Sequence, residues 1–170
     1  MIRYQITSCN PGSHYFDVSI RIGSPDPAGQ ALRLPNWIPG SYMIRDFARN
    51  LLDMRASCDD APLTIEQLDK SNWRVAACDD QLLVEYKVYA KDLSVRAAHL
   101  DDTHGYYNGS SVFLEVLGQS DQACEVQIDR PSPDYCAGWR VATSLKRCLL
   151  YTSPSPRDPL RYLVCRLLLE

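Results

Sequence analysis

The three histidines of this chain are His14, His99 and His104. None stands in an H-E-x-x-H helix, where two imidazoles one turn apart bind zinc and the glutamate activates a water. His99 and His104 bracket Leu100-Asp101-Asp102-Thr103, so imidazoles and carboxylates, both zinc ligands, crowd one short segment. Their offset of five residues across a loop fixes no ligand geometry, and the expectation is a solvated loop with no metal. Ser110 and Ser111 follow, but no G-x-S-x-G elbow surrounds them, so no serine nucleophile is specified. Gly105 and Gly109 sit amid aromatic and polar residues instead of opening a helix, which excludes a phosphate-cradling loop. Seven cysteines, at 9, 58, 78, 124, 136, 148 and 165, never form a C-x-x-C pair. The odd count leaves at least one thiol unpaired, and reduced thiols are the expected state.

Two clusters carry the remaining candidates. One runs from Leu34 to Asn50 and holds Trp37, Tyr42, Arg45 and Arg49. Within it, Ser41–Asn50 follows Pro39-Gly40 and is read as a helical turn with Ser41 as N-cap, its hydroxyl accepting a free backbone N–H. Arg45 and Arg49 then lie one turn apart on one face, either as a solvated basic pair or as an anion- or interface-binding pair. The other cluster runs from Asp92 to Gly109 and holds Asp101, Asp102, His104, Tyr106, Tyr107 and Asn108. Neither alternates as a strand does, and both mix aromatic with charged residues, a mixture that suits interfaces. The two are therefore expected to converge on one side of the domain. Loops packed for stability are the competing reading.

The elements that must carry these clusters are strands. Tyr15–Ile22 alternates from Phe16 onward, with Phe16, Val18, Ile20 and Ile22 on one face and Asp17, Ser19 and Arg21 on the other. Leu82–Tyr89 does the same, with Val84, Tyr86 and Val88 opposite Glu85 and Lys87. Shorter strands are expected at 4–7, 31–34, 63–68, 73–76, 112–116, 124–128 and 140–142. Turn signals separate them, among them Asn10-Pro11-Gly12, Ser24-Pro25-Asp26-Pro27 and Asn108-Gly109. Many short strands divided by turns predict an all-β, antiparallel sandwich-like domain with one or two short helical turns.

Length, charge and composition agree with one globular domain. The chain has 170 residues, 45% hydrophobic and 23% charged. A domain of this size buries roughly 70% of its unfolded surface. With 21 acidic residues against 18 basic, the net charge of −3 lacks the clustered Lys and Arg that nucleic acid requires. No run approaches the ~20 apolar residues that span a membrane. Met1–Thr7 has no apolar secretory core, so the expected setting is cytoplasmic.

The C-terminal stretch breaks the pattern. From Cys148, the run Leu149-Leu150-Tyr151-Thr152-Ser153-Pro154-Ser155-Pro156-Arg157-Asp158 resembles a translated sequencing adapter joined to a truncated read. Residues 1–147 are accordingly read as the domain and 148–170 as a non-native tail. Omitting the tail removes three arginines and two acidic residues, which moves the net charge from −3 to −4 and changes no conclusion.

Four blocks also carry a family resemblance. Trp37–Asn50, Leu68–Val75, Tyr86–Arg96 and Thr103–Gly109, in this order, resemble the N-terminal region of the glycyl-aminopeptidase family of zinc metallopeptidases. The resemblance covers about residues 1–147. It implies a β domain set before a thermolysin-like catalytic domain and a C-terminal PDZ domain. Zinc, its ligands and the general-base glutamate would belong to that catalytic domain, so no catalytic residue and no cofactor is carried over to this chain. The implied partners are the catalytic domain of the same chain and, in the full-length enzyme, a peptide substrate. Asp101 and Asp102, beside Tyr106 and Tyr107, are then the candidates to accept the substrate's α-ammonium. The alternative is a free-standing β-sandwich module that binds a peptide or carbohydrate, with Tyr and Trp as its stacking platform.

Overall fold

The computed structural model describes residues 1–143 together with the backbone of Val164–Leu169. In chain order the strands are β1 (Ile2–Thr7), β2 (Tyr15–Ile22), β3 (Ala31–Arg33), β4 (Leu51–Cys58), β5 (Ala61–Leu63), β6 (Ile65–Gln67) and β7 (Asn72–Val75). They continue as β8 (Leu82–Tyr89), β9 (Ala98–Leu100), β10 (His104–Asn108), β11 (Glu115–Val116), β12 (Cys124–Ile128), β13 (Trp139–Thr143) and β14 (Val164–Leu169). Short 3₁₀ turns at Pro11–Ser13, Phe47–Asn50, Gly109–Ser111 and Asp134–Cys136 are the helical content of the described residues. The fold is all-β.

A six-stranded sheet in the order β12-β1-β2-β8-β4-β5 forms the platform, antiparallel except where β12 runs parallel to β1. Its register follows from the alternation of apolar residues. Ile2, Ile22 and Leu82 stand in one cross-strand row, Tyr4, Ile20 and Val84 in the next, and Ile6, Val18 and Tyr86 in a third. All nine side chains are buried. Burying each large one removes apolar surface from water, worth about 1.5–3 kcal/mol per side chain. A shift of one residue would turn these rows to solvent, so the pattern locks the pairing.

The buried segment Val112-Phe113-Leu114 packs against this face. The Tyr4 ring lies 5.1 Å from Phe113, and Tyr107 packs edge-on against Phe113 at 5.6 Å and Phe16 at 5.5 Å. The sequence predicts one strand over Val112–Val116, but only Glu115–Val116 is extended into a ladder. The turn at Gly109–Ser111 drops residues 112–114 into the core, where all three side chains are covered. A second sheet, β11-β3-β7-β6, and a third, β13-β14-β10-β9, complete the architecture.

Two further expectations are corrected. Cys58 and Cys78 are joined by a disulfide, with Cα atoms 6.2 Å apart, so these two are not reduced thiols. The end of β4 and the segment after β7, 20 residues apart in sequence, meet only in the folded chain. The helical turn lies at Phe47–Asn50, and Ser41 does not cap it. The Ser41 hydroxyl donates to the Met43 carbonyl at 3.0 Å and accepts from the Met43 N–H at 3.3 Å. That local turn competes with a helix start, as Ser side chains commonly do.

Candidate functional site

The β9–β10 hairpin gathers most of the second cluster. Tyr106 pairs with His99, and the Asp101 N–H donates to the His104 carbonyl at 3.0 Å. Opposed residues in an antiparallel pair share a face, and so do residues two apart. His99, Asp101, His104 and Tyr106 therefore line one side of the hairpin. Gly105 and Tyr107 take the other and enter the core. The segment reads as a loop in sequence because both faces carry large or polar groups.

Asp101 organises the turn. Its Oδ1 accepts from the Thr103 N–H at 2.8 Å, the Thr103 hydroxyl at 2.7 Å and the His104 N–H at 2.9 Å. Its Oδ2 accepts from His99 Nε2 at 3.0 Å. Partial burial raises the carboxyl's pKa, but the hydrogen bonds from Thr103, His99 and the backbone outweigh it and hold the group well below the usual carboxylate range. His104 Nδ1 lies 3.3 Å from Asp101 Oδ1. Asp102 points to the other side of the turn, where it accepts from the Tyr135 hydroxyl at 2.8 Å. That bond pushes the Tyr135 pKa up to about 12. Asp102 also packs on Gly12, where an added Cβ would stand 2.9 Å from its Oδ1.

The remaining candidates of this cluster divide. Tyr106 is half-buried and donates to the Val95 carbonyl. Tyr107 is fully buried among Phe16 and Phe113 and offers no surface to a ligand. Asn108 is buried too, and its Oδ1 accepts from the Ser110 N–H at 3.1 Å and the Ser110 hydroxyl at 2.7 Å. It caps the turn that follows, as Asn does well.

The first cluster is a braced surface loop. Trp37 Nε1 donates to the Ser41 carbonyl at 2.9 Å, and the Arg45 N–H donates to the Asn36 carbonyl. Phe47 anchors the loop in the core. Tyr42, Met43 and Ile44 project outward with relative exposures of 105%, 64% and 71%. Trp37 is 47% exposed, Arg45 is half-buried against Ser41, and Arg49 is exposed. The helical face expected to pair Arg45 with Arg49 does not form, since Arg45 precedes the turn that contains Arg49. Both clusters leave the platform at the end of β8, where Leu51 pairs with Val88 and the Leu100 N–H donates to the Ala90 carbonyl at 2.8 Å.

A shallow groove of about 370 Å³ lies on the outward face of the platform, lined by Gln5, Asp17, Asp53, Arg55, Glu85 and Lys87 among others. Its charges are mixed in sign, and Lys87 stands 3.7 Å from Asp53. In sequence these residues are simply the solvated half of each strand, and no local signal sets them apart.

Comparison with known proteins assigns the chain. The aminopeptidase N family protein from Idiomarina loihiensis is 36% identical and superposes with a TM-score of 0.87 over 100% of this chain. The M1 zinc metallopeptidase from Deinococcus radiodurans is 12% identical with a TM-score of 0.51 over 98% of the chain, a likeness of fold. A variant of that enzyme bound to a Tyr-Ser-Ala substrate gives 0.52 at 12% identity. The chain spans 29% of the Idiomarina protein and 41% of the Deinococcus one. No curated protein matches. The family described as the Peptidase M61 N-terminal domain matches residues 3–148, and this chain belongs to it.

Proposed function

We propose that this peptidase N-terminal domain docks, through Trp37–Asn50 and the β9–β10 hairpin, on the catalytic domain of a zinc-dependent aminopeptidase and lines one wall of its substrate cleft. The observation that carries the reading is the braced, outward-facing Tyr42-Met43-Ile44 run. A loop held by internal hydrogen bonds that still exposes three adjacent large apolar side chains suits an interface core. Arg49 and Arg45 at its edge would reach carboxylates or carbonyls across the junction. Of the two carboxylates expected to meet a substrate α-ammonium, Asp102 is the exposed one, while both oxygens of Asp101 are engaged within the hairpin.

The catalytic zinc calls for an H-E-x-x-H helix, and the chain has no such motif, so its residues do not hold that ion. Zinc in the whole enzyme would activate the water that attacks the peptide carbonyl. This domain's part is to position and enclose.

The family match ends at residue 148, and we assign residues 148–170 to a non-native tail, although β14 pairs with β10 and β13. No helix among the described residues is long and apolar enough to cross a membrane. The expected cytoplasmic setting and the Cys58–Cys78 bridge pull apart, because structural disulfides persist mainly in oxidising compartments. Thiol counting on protein extracted under alkylation separates the two settings.

The test of the docking role uses the intact peptidase recovered from the source gene. Replacing Tyr42 and Ile44 by Ser should lower aminopeptidase turnover while leaving the stability of this domain within about 0.5 kcal/mol. Unchanged turnover, or a gene that ends with this domain, would overturn the reading.

A further inference from the structure

We propose that His99, Asp101 and His104 form a binding site for a divalent transition-metal ion of the zinc type. One ligand atom from each residue lies within 4.8 Å of the other two. The Asp101 carboxylate stands between the two rings, its Oδ2 3.0 Å from His99 Nε2 and its Oδ1 3.3 Å from His104 Nδ1, which also lies 2.9 Å from the Thr103 hydroxyl. Ligand atoms held about 2.1 Å from one tetrahedral ion stand about 3.4 Å apart. The two imidazole rings are 5.0 Å apart at an interplanar angle of 34°, so both present a nitrogen towards the carboxylate between them.

The backbone explains why an offset that fixes nothing in a loop fixes geometry here. His99 and Asp101 are two apart on the β9 side, and His104 faces Asp101 across the turn. The strand period therefore delivers all three to one face. Asp101 is held before any ion arrives. Three hydrogen bonds from Thr103 and His104 hold Oδ1, and Oδ2 faces His99 Nε2 at 3.0 Å. Such outer contacts are what orient metal-ligating carboxylates.

His99 is only 8% exposed, and its polar engagement is through Nε2 with the Asp101 carboxylate; Nδ1, which points away from that contact, has no hydrogen-bond partner among the described residues. The site is nonetheless open on one side, with the Asp101 and His104 side chains 32% and 35% exposed. A solvent molecule can complete four-coordination there. Two imidazoles with one carboxylate suit zinc, cobalt or ferrous ion over magnesium or calcium, which prefer all-oxygen sites.

The experiment titrates the full 170-residue chain, stripped with chelator, with Zn²⁺ by calorimetry and with Co²⁺ by visible absorption. The expected result is one saturable equivalent, with the ligand-field bands of a nitrogen- and oxygen-ligated Co²⁺. His104→Ala, at a half-exposed position, should weaken binding by about tenfold or more without unfolding the chain. Asp101→Asn, which keeps the side chain's size, should do the same, and Mg²⁺ should not compete. Absence of a saturable equivalent overturns the site. So does binding that His104→Ala leaves intact, which would place the ion elsewhere on the chain.

Discussion

The Tyr86 hydroxyl, in the middle of β8, donates to the Val112 carbonyl at 2.8 Å and accepts from the Leu114 N–H at 3.2 Å. One side chain thus satisfies two backbone groups of the buried segment that faces the platform. Tyr4 repeats the device from β1, donating to the Leu114 carbonyl at 2.8 Å. Residues 112–114 form no ladder of their own, so these tyrosines replace the sheet partners the segment lacks.

Tyr86→Phe should destabilise the domain by about 1–3 kcal/mol, the cost of leaving buried backbone groups unpaired, with little change in packing. Urea unfolding measures it. A loss under about 0.5 kcal/mol would show that the segment finds other partners.

Burial pushes the pKa of both Tyr4 and Tyr86 above the ordinary tyrosine value. A raised folded-state value means the folded chain holds these protons more tightly than the unfolded one. Their contribution is fully present below about pH 10, the unfolded value, and is lost as pH rises towards the folded ones. Stability should therefore fall above pH 10, each tyrosine adding at most about 1.4 kcal/mol per pH unit. The last part of the tyrosinate absorbance should rise together with unfolding; complete ionisation of the tyrosines in a chain that stays folded would contradict this.

Replacing Cys58 and Cys78 together by Ser should cost about 3 kcal/mol, since the bridge closes a loop of 20 residues. Reduction of the unaltered chain should lower its melting temperature similarly. If the reduced and oxidised chains melt alike, the bridge does not constrain the unfolded state.

Deleting Leu149–Glu170 should change stability by no more than about 0.5 kcal/mol, the scale of changes away from packed features. The assignment of these residues to a non-native tail requires this. A loss of several kcal/mol in thermal or urea unfolding would show that β14 holds β10 and β13 together.

The legible part of this protein is its platform. Tyr15–Ile22 alternates from Phe16 onward and Leu82–Tyr89 over Val84–Val88, and both form strands over those same residues. Such alternation is a local consequence of one buried face, so it survives in the sequence. β4 hides because Asp53 adopts a left-handed φ of 53° and the register shifts between Leu52 and Arg55. The bulge puts the apolar residues before and after it out of phase.

Residue type alone places metal-ligating chemistry at His99, Asp101 and His104. It does not make a site of them, because their approach depends on a cross-strand register that no local pattern encodes. The same holds for Cys58 and Cys78, which only the packing of the end of β4 against the segment after β7 brings to 6.2 Å. It holds in reverse for Tyr107, whose aromatic ring reads as contact surface in sequence and is claimed by the core through Phe16 and Phe113. Sequence by itself determines which residues alternate and which carry charge. Tertiary structure decides which of them meet, because the pairing of strands distant in the chain selects neighbours by burial of whole faces and not by the residues themselves.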